Sequence, residues 1–330
     1  MEELVYPMID FTKRQCKELV STINQNLLQS LFRILNCFFE RYIERELVKV
    51  TPEDILKLEE SIRNLLVFAL VWSVGGSIDY DSRPKFSEEM RKCLAKKGYP
   101  LLPKPFYEYH YNEKTNEFEE WTKLFANFEI PSQQMYHEII VPTADSYRSI
   151  HMTKMLLSND YHVITPGPTG TGKSINAYNL ISAKMGEIYQ YIPITFSAQT
   201  SANQTQDTID LKLEKIKRGV YGAPVGKKYI IFIDDLNMPK KEEYGAQPPI
   251  ELIRQFFDHH GWYNRKDQQF LRIENIVFLT ALGPPGGGRT FITPRIVRHF
   301  NMLSYNEMDN STVNYIFNTM TNYFLKRFTD

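Results

Sequence analysis

Apolar positions Leu27, Leu28, Leu31, Phe32, Leu35, Phe38, Phe39 and Tyr42 recur at steps of three and four, the spacing of one helix face. The segment "TPEDILKLEESIRNLLVFALVWSVGG" then carries its own boundaries. Thr51 is able to cap, Pro52 suits a first turn, Glu53 and Asp54 favour the positive end of the helix dipole, and Gly75 and Gly76 provide an end. Residues 1–92 are therefore predicted to be a helical domain. The run "LLVFALVWSV" is about half the roughly 20 residues a membrane span needs, so it predicts a buried helix containing Trp72.

From residue 93 to 137 the pattern changes. "LLPKPFYEYHYNEKTNEFEEW" alternates aromatic and polar residues around a polar turn at 112–116, which predicts a connecting segment with a short β-hairpin packed by Tyr107, Tyr109 and Tyr111. From 138 to 305 short apolar runs alternate with helical stretches. "YHVIT" (161–165), "IPITFSA" (192–198), "KYIIFID" (228–234) and "NIVFLTA" (275–281) suit buried parallel strands, with "HFNMLSY" (299–305) a weaker fifth. "PPIELIRQFFDHHG" places Ile250, Ile253, Phe256 and Phe257 on one helix side, with Gly261 as the stop. The predicted fold class is α/β, a five-stranded parallel sheet preceded by a helical domain. Residues 306–330 are predicted to start a further, truncated helical domain.

Composition narrows the function classes. Apolar residues make up 42% and aromatics 13%, enough for a packed core. Lys+Arg and Asp+Glu are both 39, so no net field attracts nucleic acid or an anionic membrane, and neither is expected as a partner. Cys16, Cys37 and Cys93 show no metal-type spacing and read as reduced cytosolic thiols. "MEELVYPMID" lacks the pattern of a secretion signal. His259 and His260 are adjacent and cannot share a metal from a helix; Glu242 and Glu243 read as a solvated loop.

"GPTGTGKS", Gly167–Ser174, satisfies G-x-x-x-x-G-K-[ST] between a predicted strand and a predicted helix. Backbone N–H groups of Gly167, Pro168–Gly170, Thr171 and Gly172 (proline excepted) would cradle phosphate, Lys173 would reach the β- and γ-phosphates, and Ser174 would ligate Mg²⁺. A second acidic feature fits the first. "IIFIDDLNMP" ends a strand in Asp234, placed to hold Mg²⁺, and Asp235, placed to polarise the attacking water.

With "VPTADSYR", "FSAQTSANQTQD", "FIDDLNMPKKEEYGAQPPIELIRQFFDHHGWY" and "GPPGGGRTFITPRIVRHFN", these motifs resemble the AAA+ family, and more narrowly ciliary (axonemal) dynein heavy chains in their third AAA+ module; "LVFALVWSVGGSIDYDSRPKF" is similar to the end of the second. The resemblance implies that Val141, Pro142 and Thr143 lie near adenine and that Lys173 and Asp235 are catalytic. It also implies that Arg298 is an arginine finger acting in trans on a neighbouring module, with Arg295 a second candidate. ATP or ADP and Mg²⁺ are the implied ligands, and neighbouring AAA+ modules the implied partners. Intermediate chains, light chains and microtubules would be reached through regions absent here, in the cytoplasm, the cytoskeleton and the ciliary or flagellar axoneme.

Two departures from the AAA+ pattern bear on turnover. Asp235 is one methylene shorter than the usual Glu, and Leu282 and Gly283 stand where a polar sensor is common, with Thr280 the nearest hydroxyl. Misplacing a catalytic group by about 1 Å costs on the order of 100-fold in rate. The implied function is an ATP-binding module that hydrolyses slowly or acts as a regulatory switch. The alternatives are a ring fragment that binds nucleotide poorly without its neighbours, and a stand-alone P-loop enzyme, which the missing guanine-reading motif and substrate lid oppose.

Overall fold

The structure, a computed structural model, describes residues 2–43, 52–95, 98–125, 128–130, 135 and 139–326. Four helices come first: α1 (Glu2–Gln15), α2 (Asn24–Ile43), α3 (Pro52–Ser73) and α4 (Ser82–Ala95). On α2 the predicted face buries Leu27, Leu31, Leu35 and Phe38, whereas Phe32 is exposed. The predicted cap at Thr51 lies outside the described residues, as do the side chains of Tyr42, Glu53 and Asp54. The apolar second half of α3 is buried, and Trp72 packs edge-on against Trp121 and Tyr107. No helix among the described residues is long and apolar enough to cross a membrane.

The hairpin is β1 (Tyr109–Asn112) and β2 (Glu117–Glu120), paired antiparallel with Asn112 opposite Glu117. Tyr107, Tyr109 and Tyr111 are buried, as their alternation predicts, although Tyr107 sits in a short 3₁₀ turn before the strand.

The α/β unit follows: α5 (Ala144–Ser158), β3 (Val163–Pro166), α6 (Lys173–Asn179), β4 (Tyr189–Thr195), α7 (Ala202–Asp210), β5 (Glu214–Lys217), β6 (Val220–Gly222), β7 (Lys228–Asp234), α8 (Pro248–His259), β8 (Gly261–Tyr263), β9 (Phe270–Glu274), β10 (Ile276–Leu282), α9 (Pro294–Val297), β11 (Asn301–Met302) and α10 (Asn310–Leu325). Five strands form one parallel sheet in the order β11-β3-β10-β7-β4. The inner strands β3, β10 and β7 bury both faces, unlike the edge strand β4, so their apolar runs divide residue by residue. Ile230, Phe232, Val277 and Leu279 join a core with the helical lobe, while Ile231, Ile233, Phe278 and Leu282 join a second core under α8.

The structure corrects four expectations. β4 lies three residues earlier than predicted, because Tyr189 and Tyr191 still pair with Lys228 and Ile230. β11 is only two residues long. α8 stops at His260, which takes the left-handed conformation (φ 54°), while Gly261 opens β8; a Cβ there would stand 2.0 Å from the Leu271 carbonyl oxygen. A further four-stranded sheet, β5-β6-β9-β8, was not expected.

A polar seam joins the helical lobe to the α/β unit. Asp145 contacts Arg148 at 2.6 Å and Arg83 at 3.7 Å, and both arginine side chains are buried. Arg83 donates to the Ser304 carbonyl, Arg148 to the Tyr107 carbonyl, and the Ser304 N–H to the Gly76 carbonyl.

His162 is ringed by Phe256, Phe257, Phe278 and Phe300, and its Nδ1 accepts the Phe278 N–H at 3.1 Å, which requires a neutral ring. Burial, then Arg33, pulls its pKa from 6.5 down to about 3. The unfolded chain takes up this proton near 6.5 and the folded chain does not until about 3, so stability falls as pH drops through that window. Urea unfolding is expected to show a loss of about 2 kcal/mol from this residue between pH 7 and pH 5. His162→Asn, which retains an acceptor, is expected to flatten the pH slope by about one proton.

Candidate functional site

At the tip of β3 the chain turns at Gly167, whose N–H donates to the Leu282 carbonyl at the tip of β10 (3.1 Å). A Cβ at Gly167 would stand 2.4 Å from the Tyr305 carbonyl oxygen, so glycine is required for close approach. Gly170 and Gly172 need glycine for a different reason: both are left-handed, at φ 85° and 81°.

Lys173, first residue of α6, curls back so that Nζ donates to the carbonyls of Gly167 (2.8 Å) and Pro168 (2.5 Å). Burial lowers its pKa and Arg289 adds to this, against the opposing effect of Asp234 and Asp235. Ser174 Oγ donates to Asp234 Oδ2 at 2.5 Å, which brings a hydroxyl and a carboxylate together from α6 and β7. These are hard oxygen donors of the kind Mg²⁺ takes. Among the described residues no cluster of three or more His, Cys, Asp or Glu could cage a metal, so an ion here needs further oxygens, as Mg²⁺ does when it is shared with phosphate.

Asp235 follows in the left-handed region, φ 53°, a conformation that aspartate tolerates better than most residues. Its Oδ1 accepts from Arg289 Nε (3.1 Å) and an Arg289 terminal nitrogen (3.0 Å). Thr169, Gly170, Lys173, Ser174, Asp234, Asp235 and Arg289 line a shared hollow of about 230 Å³.

A second hollow, about 190 Å³, adjoins the first at Gly172 and Ile175 and is lined by Val141, Thr143, Thr171, Asn176 and Tyr305. Thr143 also caps α5, its Oγ1 accepting from Ser146 N while Ser146 Oγ accepts from Thr143 N. Pro142 faces a neighbouring cavity of about 380 Å³, where Phe125 stacks on Tyr147 and Lys184 lies over the same ring.

Other candidates fall elsewhere. Arg298 is exposed at the end of α9 and pairs with Asp258 at 2.6 Å; Arg295 is exposed beside it. Neither lines the hollows. Thr280 is fully buried and its hydroxyl has no protein partner, so the nearest hydroxyl to the expected sensor position does not reach the site. Arg289 was not singled out in the sequence. The available signal was the glycine run 286–288 before it, which marks a tight turn after a strand tip.

Residues 128–308 match the P-loop containing dynein motor region, and residues 1–123 match the dynein heavy chain AAA lid domain. The chain belongs to the dynein heavy chain family. Among dyneins it is 41% identical to dynein axonemal heavy chain 1 of Homo sapiens over 333 residues, which covers 94% of this chain and 8% of that one. It is 35% identical to dynein axonemal heavy chain 3 of Homo sapiens, covering 97% and 8%. To dynein axonemal heavy chain 12 of Homo sapiens it is 38% identical, covering 94% and 10%. The chain thus spans about a tenth of the dyneins it matches or less. Its parallel sheet with a glycine-rich loop at the tip of β3 is the P-loop α/β core of this dynein motor region.

Proposed function

We propose that the chain is an ATP-binding AAA+ module of a ciliary dynein heavy chain, comprising the end of the second module and the large domain of the third. The observation that carries this reading is the convergence of Lys173, Ser174, Asp234 and Asp235 on one hollow at the strand tips. Lys173 would exchange its carbonyl partners for phosphate oxygens, and Ser174 and Asp234 would hold Mg²⁺. Bound Mg²⁺ supplies charge neutralisation at the phosphates. Asp235 would accept a hydrogen bond from the attacking water, and Val141 and Thr143 would flank the base.

Nucleotide here would set the ring conformation through differential contacts in two states, with slow hydrolysis as the timer. Arg298 would serve the neighbouring module. Intermediate chains, light chains and microtubules would be engaged by other parts of the heavy chain, in the axoneme. A second reading, a ring element that holds nucleotide weakly by itself, draws on α10, which has no buried side chain.

Titration with fluorescent ATP and ADP, with and without Mg²⁺, tests the proposal. Saturable binding strengthened by Mg²⁺ is expected, and Asp234→Asn is expected to reduce the Mg²⁺ enhancement about tenfold, the worth of one charged ligand contact. Slow turnover abolished in Asp235→Asn makes the module an ATPase; binding without turnover makes it a switch. No binding by the wild type leaves the second reading.

A further inference from the structure

Arg289 enters the phosphate-side hollow from a loop built to present it. The loop leaves β10 at Gly283, where a Cβ would stand 2.6 Å from Arg289 Cδ and Nε, so the bare backbone of Gly283 is what lets the arginine lie across the strand tip. Gly286 and Arg289 exchange N–H···O bonds, each 3.0 Å, around Gly287 (φ 58°) and Gly288 (φ 90°), a tight turn with both central residues left-handed. Asn237 Nδ2 donates to the Gly283 carbonyl (2.9 Å) and the Thr290 carbonyl (3.1 Å), and Thr290 N donates to the Asn237 carbonyl (3.0 Å). Both ends of the loop are thus clamped to the segment that follows the two acids. The result is a fixed guanidinium on Asp235, sharing the hollow with Lys173.

We infer that Arg289 is a phosphate sensor that keeps Asp235 in reserve: a terminal phosphate in the hollow competes for the guanidinium, and Asp235 is released to act on water only when that phosphate is present. This rests on the nucleotide-binding reading above. A guanidinium matches phosphate as well as carboxylate, through two parallel donors. The exchange replaces one anionic partner by another, so the arginine is never left unpaired. A diphosphate lacks the competing group and leaves the pair intact. The arginine side chain lies against Gly283, one of the two residues that stand where a polar sensor is common.

The test is calorimetric binding of ATPγS and of ADP, each with Mg²⁺, to the wild-type chain, Arg289→Ala, Arg289→Lys, Asp235→Asn and the Arg289→Ala/Asp235→Asn double variant. Arg289→Ala is expected to weaken ATPγS about tenfold and leave ADP within about twofold, the difference of one charge-assisted contact. Asp235→Asn is expected to strengthen ATPγS by roughly three- to fivefold, the worth of a partly exposed ion pair, without moving ADP. In the double variant that gain is expected to disappear, and Arg289→Lys is expected to lie between wild type and alanine. ATPγS and ADP shifting together would show that Arg289 only pins the strand tip, and overturns the inference while sparing the nucleotide reading. Neither nucleotide binding to the wild type overturns both. Should Arg289→Ala fail to fold, Asp235→Asn decides alone: unchanged ATPγS affinity sinks the competition.

Discussion

Lys173→Ala is expected to weaken ATP binding on the order of 100-fold or more, with little change in unfolding midpoint when no nucleotide is added. The ammonium is half-buried, and its partners are two backbone carbonyls of its own loop and, at 3.4 Å, the Thr171 hydroxyl. All of these contacts lie within one short loop, with Gly167 buried and Pro168 half-buried, so losing them is expected to cost the fold little beside what is lost toward nucleotide. Nothing replaces the lysine toward phosphate, where a charge-assisted contact contributes about 1.5–3 kcal/mol and more than one phosphate is served. Removing the cation also leaves Arg289 as the one cation among the described residues that line the hollow, so the carboxylates of Asp234 and Asp235 repel the incoming anion more strongly. Fluorescent-nucleotide titration beside a thermal melt separates the two effects. An affinity within threefold of wild type, with the fold intact, would remove Lys173 from the site.

The largest expected loss of stability comes from Phe278→Ala. Phe278 is fully buried on β10, between β3 and β7, and its ring meets Phe256 and Phe257 with centroids 5.3 Å apart and His162 at 5.9 Å. Neighbouring strands hold the backbone on both sides, so the cluster cannot collapse into the gap. Truncation of a buried phenylalanine then costs about 3–5 kcal/mol. Phe278→Leu, which keeps much of the volume, is expected to cost about 1–2 kcal/mol. Urea unfolding with a constant m-value checks both. A loss below about 1 kcal/mol for alanine would mean that α8 moves in to fill the space.

The inner strands of the parallel sheet were legible because burial on both faces leaves unbroken apolar runs. "KYIIFID" is the clearest case, and β7 occupies the predicted residues. β4 was read late because Gln190 and the half-buried tyrosines beside it hide a segment that still pairs in register. The second sheet was missed for a related reason. "EKIK" is mostly exposed, and β9 alternates only Leu271 and Ile273 inward, so neither carries a strong period. In the site, the glycine loop and the paired acids were legible because their chemistry is local in sequence. Arg289 was not, since its partner lies 54 positions away and only the fold brings the two together. The same contact bears on why Asp stands at 235: the residue is left-handed, which a short side chain accepts, and its carboxylate is already within reach of Arg289.

The seam at Asp145 has a mechanical consequence. Asp145 borders the hollow flanked by Val141 and Thr143, and it is also the counter-charge of Arg148 and Arg83. If that carboxylate shifts, Arg148 keeps Glu108 at 3.3 Å and the Tyr107 carbonyl, and Arg83 keeps the Ser304 carbonyl, so what is lost is the one acidic partner that the two guanidinium groups share. The joint is a set of overlapping contacts from both sides, centred on one half-exposed carboxylate. The start of α5, the start of α4 and the Gly76 corner thus share one electrostatic hinge pin, and a tilt of α5 at the edge of the hollow is expected to be felt in the helical lobe.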